Sequence, residues 1–283
     1  MTNLAILGPG LLGGSIALAA RARGLHRVAL WARRPEAIAE IEALGVADRV
    51  STNVRAVAAD ADLVIFCTPI GAMPALAREI VTAIPAGALI TDVGSVKAPV
   101  CAELRAIFQA RGRFVGSHPM AGSEQTGLAA ARADLFEGAV SIVTPDAQSD
   151  PAAVAGIREF WAALGCRVLE LAPHEHDEIV ALVSHFPHLL AATLVNTVAA
   201  ENVRAFDFCG PGFRDSTRIA ASPPAMWAEI LGSNRVAVRR AAEAMIEKLR
   251  EIVTLLGRDQ PMTDFLTQAK AQRDRLRLPK PNV

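Results

Sequence analysis

The residues that could do chemistry fall in a few short stretches of this chain. The first is LAILGPGLLGGS at positions 4–15, where Gly8, Gly10 and Gly13 keep a G-x-G-x-x-G spacing between a short apolar run and an apolar helical pattern. In that setting Gly8 permits a tight turn, Gly10 lets a pyrophosphate approach the backbone, and Gly13 lets the helix lie close to the strand. The N–H groups of Leu11, Leu12 and Gly13 at the helix start would face the phosphates. Three polar clusters follow: Cys67-Thr68-Pro69, DVGSVK at 92–97 and SHPMAGSE at 117–124. His118 is the sole histidine among them. A neutral imidazole suits accepting a proton from a hydroxyl while hydride leaves the same carbon. The alternative is a histidine that only hydrogen-bonds a strand end.

Two more candidates lie further along. SHFPH at 184–188 sets a proline inside a helical pattern, which should kink or restart the helix. That break marks a site containing His185 and His188, or else a simple packing kink. In GFRDSTR at 212–218, Arg214 and Arg218 lie four apart and share a face if helical. Arg214 beside Asp215 reads as a structural charge group, and Arg218, just before Ile219, as the better carboxylate clamp. His174, Glu175, His176 and Asp177 do not have a metal-ligand spacing, and carboxylates near a helix start answer the helix dipole, so no metal is expected.

The elements that must position these residues alternate. Short apolar runs at 4–7, 28–31, 62–67, 88–91, 114–116, 139–143 and 168–171 are separated by helical patterns at 11–22, 35–44, 72–84, 98–110 and 152–164. Alternation with short turns predicts an α/β domain over residues 1–171, a Rossmann-type doubly wound parallel sheet with right-handed crossovers. In such a sheet ligands sit beyond the C-terminal ends of the strands, where the polar clusters fall. After the second strand, where an acidic residue would accept the ribose 2′-hydroxyl of NAD, the chain reads Ala32-Arg33-Arg34. Two guanidinium groups suit a 2′-phosphate, so NADP is expected over NAD; two solvated arginines would leave NAD possible. From residue 172 to 283 strand signals vanish and apolar residues recur at helical spacing, predicting an all-helical second domain. The apolar face over 237–256 is too large for a lone surface helix and points to a homodimer.

Composition narrows the partners. Lys plus Arg and Asp plus Glu number 29 each, giving zero formal net charge, and no basic run stands out, so nucleic acid and anionic membranes are not expected partners. No leader pattern opens the sequence and no apolar run reaches the ~20 residues of a membrane span. The four cysteines are scattered without a C-x-x-C pair, which fits reduced thiols and a cytoplasmic location.

Taken in order, the glycine turn, DVGSVK, GSHPMAGSE, SHFPH and FRDSTRIA continuing to Trp227 resemble the prephenate/arogenate dehydrogenase family across residues 4–227. The resemblance implies a nucleotide-binding domain followed by a helical dimerisation domain, and NAD(P)-dependent oxidative decarboxylation of prephenate, arogenate or both in tyrosine biosynthesis. Carried over by position, His118 would take the proton of the substrate's 4-hydroxyl, with Ser95 beside it and the nicotinamide. Ser117, His185 and His188 would line the substrate, Arg218 would grip a carboxylate and Glu124 would gate the pocket. Gly8, Gly10, Leu11, Leu12, Gly13, Arg33, Arg34, Thr68, Pro69 and Ser95 would hold the cofactor. The chain leaves no room after the helical half for the regulatory domain that some relatives carry. Two alternatives stand beside this: a β-hydroxy-acid dehydrogenase of the same plan, which would need a catalytic lysine in the helical domain, and an NADP(H)-binding sensor without chemistry.

Overall fold

A computed structural model describes residues 2–122, 125–258 and 261–276. Six strands, β1 (Thr2–Leu7), β2 (His26–Trp31), β3 (Arg49–Ser51), β4 (Leu63–Phe66), β5 (Leu89–Asp92) and β6 (Arg113–Phe114), form one sheet in the order β3-β2-β1-β4-β5-β6. Every pairing in it is parallel. Helices α1 (Leu11–Ala22), α2 (Glu36–Ala43), α3 (Val54–Ala58), α4 (Met73–Ile80) and α5 (Ala98–Phe108) connect the strands. The period of two in β1 decides the layering: Leu4 and Ile6 join the apolar cluster on one face, Ala5 and Leu7 the cluster on the other. The strand order reverses between β1 and β4, which makes their C-terminal ends the ligand crevice. β3, a three-residue strand, carried no apolar signal of its own.

The last three strands depart from the single doubly wound sheet expected over 1–171. β7 (Gly116–Pro119), β8 (Val140–Thr144) and β9 (Arg167–Glu170) form a separate sheet, β7–β8 antiparallel and β8–β9 parallel, with α6 (Pro151–Ala163) between β8 and β9. The apolar run at 114–116 is split. Val115 N still bonds Ile90 O at 2.9 Å, and the chain then turns at Gly116. A Cβ there would lie 2.5 Å from Cys101 Sγ and 2.6 Å from Thr144 Oγ1, so the crossing of the two sheets requires glycine.

The remainder is helical: α7 (Pro173–Val180), α8 (Phe186–Asn202), α9 (Pro211–Thr217), α10 (Pro224–Ser233), α11 (Arg235–Gly257) and α12 (Thr263–Asp274). The expected break at Pro187 takes the form of a π-helical turn, Ala181–His185, with the proline in the first turn of α8. The uninterrupted helical run Pro173–Phe208 is, by length and hydropathy alone, long and apolar enough to cross a membrane, which the sequence-based expectation had excluded. His176, Asp177, His185 and His188 are buried within it, while Leu182, Val183, Leu190 and Leu194 are exposed. α11 carries exposed Ile246, Leu249, Val253 and Leu256 at helical spacing, and α8 carries Leu190 and Leu194.

Candidate active site

The glycine loop shows separate constraints at each position. Gly8 has φ +122°, and a Cβ on it would stand 2.6 Å from Cys67 O. A Cβ on Gly13 would lie 2.0 Å from Gly8 O, so helix and loop touch backbone to backbone. Gly10 caps α1, and a Cβ on it would meet nothing within 4 Å. The room is therefore on the outer side of the loop, beside the N–H groups of Leu11, Leu12 and Gly13, which begin the helix and have no partner within it. No acidic residue stands in the first turn of α1 to compete for them. Gly14, not singled out in the sequence, is also constrained: its Cβ would strike Leu128 and Ala131. Thr68 follows β4 beside Gly8, with its Oγ1 buried and lacking a hydrogen-bond partner, and Pro69 is exposed next to it. Gly8 N bonds Trp31 O at 3.1 Å, which brings the end of β2, and the exposed Arg33 and Arg34 after it, alongside the loop. This open cradle of N–H groups with guanidinium groups at its flank fits a pyridine dinucleotide.

At the end of β5 a buried carboxylate joins the two sheets. Asp92 Oδ1 accepts from Ser117 N at 3.3 Å and Oδ2 from Gly94 N at 2.8 Å. The fully buried Lys97 ammonium donates to Asp92 and, at 2.8 Å, to Ser117 O. Ser117 was expected to line the substrate, and the structure corrects this. Its hydroxyl donates to Asp92 O at 2.6 Å, accepts from Trp161 Nε1 at 2.9 Å and shares a 2.7 Å bond with Thr91 Oγ1, so its bonding capacity is spent inside the core. Neighbouring strand residues point to opposite faces, and Ser117 facing inward turns His118 the other way.

His118 is 7% exposed. Its Nδ1 lies 2.9 Å from His176 Nε2, and His176 Nδ1 lies 2.8 Å from Asp177 Oδ1. Asp177 in turn accepts from Lys97 N at 2.7 Å and Ala98 N at 2.8 Å, capping α5 from the helical half. Burial, reinforced by His176, Lys97 and His185, holds the His118 pKa well below the usual imidazole range. Burial also lowers His176, against the raising effect of its hydrogen bond to Asp177. Both rings are neutral at pH 7.

The helical half faces this edge with a second cluster. His185 is fully buried, and its ring faces the backbone of Ser95, which is half-buried in the turn after β5. Asn234 Nδ2 donates to Asp177 O at 2.8 Å and to His185 Nδ1 at 3.1 Å. The carbonyl acceptor fixes the orientation of that amide, so His185 carries its proton on Nε2, which is buried and without a protein partner. His188 stacks on Trp227 with centroids 3.6 Å apart and planes 8° apart. His188 Nδ1 and Trp227 Nε1 are likewise buried and unpartnered. Burial lowers the pKa of His185 to about 4 and also lowers that of His188. Arg218 is exposed at the start of the 3₁₀ turn Arg218–Ala221, which packs on α8. Glu124 lies outside the described residues.

Residues 16–170 match the family described as prephenate dehydrogenase, nucleotide-binding domain, and residues 172–270 match prephenate dehydrogenase, dimerization domain. The chain belongs to the prephenate dehydrogenase family. It is 35% identical to a prephenate dehydrogenase of Bacillus subtilis over 98% of this chain and 76% of that protein. A cyclohexadienyl dehydrogenase of Zymomonas mobilis is 32% identical over 90% of this chain and 88% of its own length. The crystal structure of prephenate dehydrogenase from A. aeolicus in complex with hydroxyphenyl propionate and NAD+ superimposes with a TM-score of 0.91, at 31% identity, covering 96% of this chain and 97% of that one. Members of this family are oxidoreductases that couple oxidation to decarboxylation in tyrosine biosynthesis, and their nucleotide-binding domain takes a pyridine nucleotide.

Within this family site, sequence reasoning passed over His176, Asp177, Asn234 and the polar atom of Trp227. In the sequence the His176-Asp177 pair offers only a metal-ligand or a helix-dipole reading. Among the described residues no group of His, Cys, Asp and Glu could hold a metal ion. The usable signal was spacing: His176 and Val180 are four apart on the face of α7 that is buried.

Proposed function

We propose that this enzyme oxidatively decarboxylates prephenate, arogenate or both, prefers NADP, and works in the cytoplasm as a homodimer built through residues 172–283. The single observation that carries the reading is His118, buried and neutral beside the C-terminal edge of the large sheet, its Nδ1 committed and its Nε2 left over as the proton acceptor. A nicotinamide held by the Gly8–Gly13 loop would accept the hydride that leaves C4 of the ring. His118 takes the hydroxyl proton as C4 becomes a ketone carbon. Loss of the ring carboxylate as CO2 then makes the ring aromatic, so the chain's own task is to orient two ligands and deprotonate one hydroxyl. His185 Nε2–H and Trp227 Nε1–H are buried donors without protein partners and serve the polar side chain of the substrate, with His188 held in place by stacking. Arg218 attracts a substrate carboxylate.

The NADP preference rests on Arg33 and Arg34 after β2 and on the lack of an acidic residue at 32–34. The homodimer rests on the dimerization-domain match and on the exposed apolar rows of α8 and α11. No lysine occurs in 173–208, which disfavours the β-hydroxy-acid alternative. The deciding experiment compares rates with prephenate and arogenate, each with NAD and NADP, for wild type and His118→Asn. Turnover of at least one substrate by wild type, faster with NADP and lost in His118→Asn while NADPH still binds, is the expected result. Nucleotide binding with no turnover of either substrate would leave the sensor reading instead.

A further inference from the structure

An imidazole that is to accept a proton must carry its own hydrogen on the other nitrogen. For His118 the surrounding hydrogen bonds determine which nitrogen that is. Asp177 is a carboxylate that accepts N–H bonds from Lys97 and Ala98, and the 2.8 Å approach of His176 Nδ1 adds a third. A carboxylate has no hydrogen to give, so His176 must carry its proton on Nδ1. Its Nε2 is then a lone pair, and the 2.9 Å contact with His118 Nδ1 requires the hydrogen to be on His118. His118 Nε2 is left unprotonated. His176 is 0% exposed and Asp177 5%, so no solvent competes with this polarity.

We propose that His176 and Asp177 are positioning residues that set the tautomer of His118, through a chain of two donated N–H bonds ending on the Asp177 carboxylate. The proposal rests on the role of His118 given above and assigns a purpose to two buried groups which that role does not itself require. When His118 takes the substrate's proton on Nε2, its Nδ1–H keeps donating to His176, and the new positive charge is shared with a neutral ring that is bonded to an anion. No proton needs to pass on to His176, and His118 returns its own proton to the phenolate oxygen that loss of CO2 leaves on the ring. The chain spans both halves of the protein, His118 coming from β7 and its two partners from α7. The other charged or titratable groups facing the pair are Lys97 at the start of α5, Asp92 at the end of β5 and His185 in the π-helical turn.

The test uses the full-length protein labelled with ¹⁵N in histidine. Nitrogen shifts should show Nδ1 protonated and Nε2 bare on both His118 and His176, with assignment from His118→Asn and His176→Gln. In Asp177→Ala no acceptor holds the proton on His176 Nδ1, so His176 is free to take the Nε2–H form and to turn His118 to the Nε2–H form with it. The expected result is a ~10²–10⁴-fold fall in kcat at neutral pH with the nucleotide Kd changed less than about twofold. Because Asp177 also caps α5, a second pair of variants separates positioning from folding. His176→Gln offers a carbonyl to His118 Nδ1–H and should keep kcat within about tenfold, whereas His176→Leu offers nothing and should lose about 100-fold or more, with its kcat pH profile displaced. A wild-type His118 found in the Nε2–H form, or a His176→Leu enzyme with unchanged kcat and pH profile, would overturn the proposal. Should His118→Asn retain full turnover, the base assignment itself fails, while the nitrogen shifts still report on the tautomer chain independently of catalysis.

Discussion

Acidification should destabilise this protein, and a measurable share of the loss should trace to His185. The ring is fully buried, its Nδ1 accepts from Asn234 at 3.1 Å, and its Nε2 has no protein partner. Burial is the largest cause of its lowered pKa, about 4 in the folded protein, with His176 adding to the effect and Asp177 opposing it. An unfolded histidine titrates near ~6.5. As the pH drops below that value the unfolded chain takes up a proton that the folded chain refuses, so stability is full above pH ~6.5 and falls progressively toward pH ~4. Between pH ~7.5 and pH ~5 this single group should remove about 2 kcal/mol. Urea denaturation of wild type and His185→Gln at both pH values and at one protein concentration measures it. His118 and His176 remain in both proteins, so their contribution to the slope is common to both. Wild type should lose about 2 kcal/mol more than the variant over this range. Equal losses would mean that the His185 ring is accessible to protons in the folded state, and the burial argument would fail.

The glycine loop separates packing from ligand access. Gly13→Ala forces a Cβ to 2.0 Å from Gly8 O and should cost about 3 kcal/mol or more, read as a lowered Tm, whereas Gly10→Ala should leave Tm unchanged and weaken nucleotide binding. Replacing Arg33 and Arg34 together by Ala should raise the Kd for NADP ~10–100-fold and leave that for NAD within about twofold, measured by quenching or calorimetry. Equal effects on the two nucleotides would remove the arginines from 2′-phosphate recognition. Arg218→Ala should raise the substrate KM ~10–100-fold with kcat little changed, and an unaltered KM would refute the carboxylate contact.

Local patterns in the sequence carried the nucleotide half well up to β6. Apolar runs at 4–7, 28–31, 62–67 and 88–91 became strands paired in parallel as expected, while β3 gave no such run and the order of the strands was not legible. What they could not carry was allegiance between strands. The run at 139–143 has the apolar content of a buried parallel strand, yet it pairs antiparallel with β7 in another sheet, because the turn at Gly116 is dictated by contacts with Cys101 and Thr144 far away in sequence. Period-two alternation did contain the correction for Ser117, since adjacent strand residues cannot both face one pocket. His176 and Asp177 were hidden for a different reason. An acidic residue in an early helical turn has a sufficient explanation in the helix dipole, and only tertiary geometry reveals that this one serves a different helix.

That borrowed cap also bears on how the molecule is made. Asp177 completes the first turn of α5 across a separation of 79 residues. During synthesis the nucleotide half emerges first, with its glycine loop closed by nearby backbone but with the Lys97 and Ala98 amides still awaiting an acceptor. The finishing of the first half is thus deferred to the arrival of the second, and a ribosome that stalls between them leaves a nascent chain that already holds its ligand cradle and His118 but not the two residues that orient that ring.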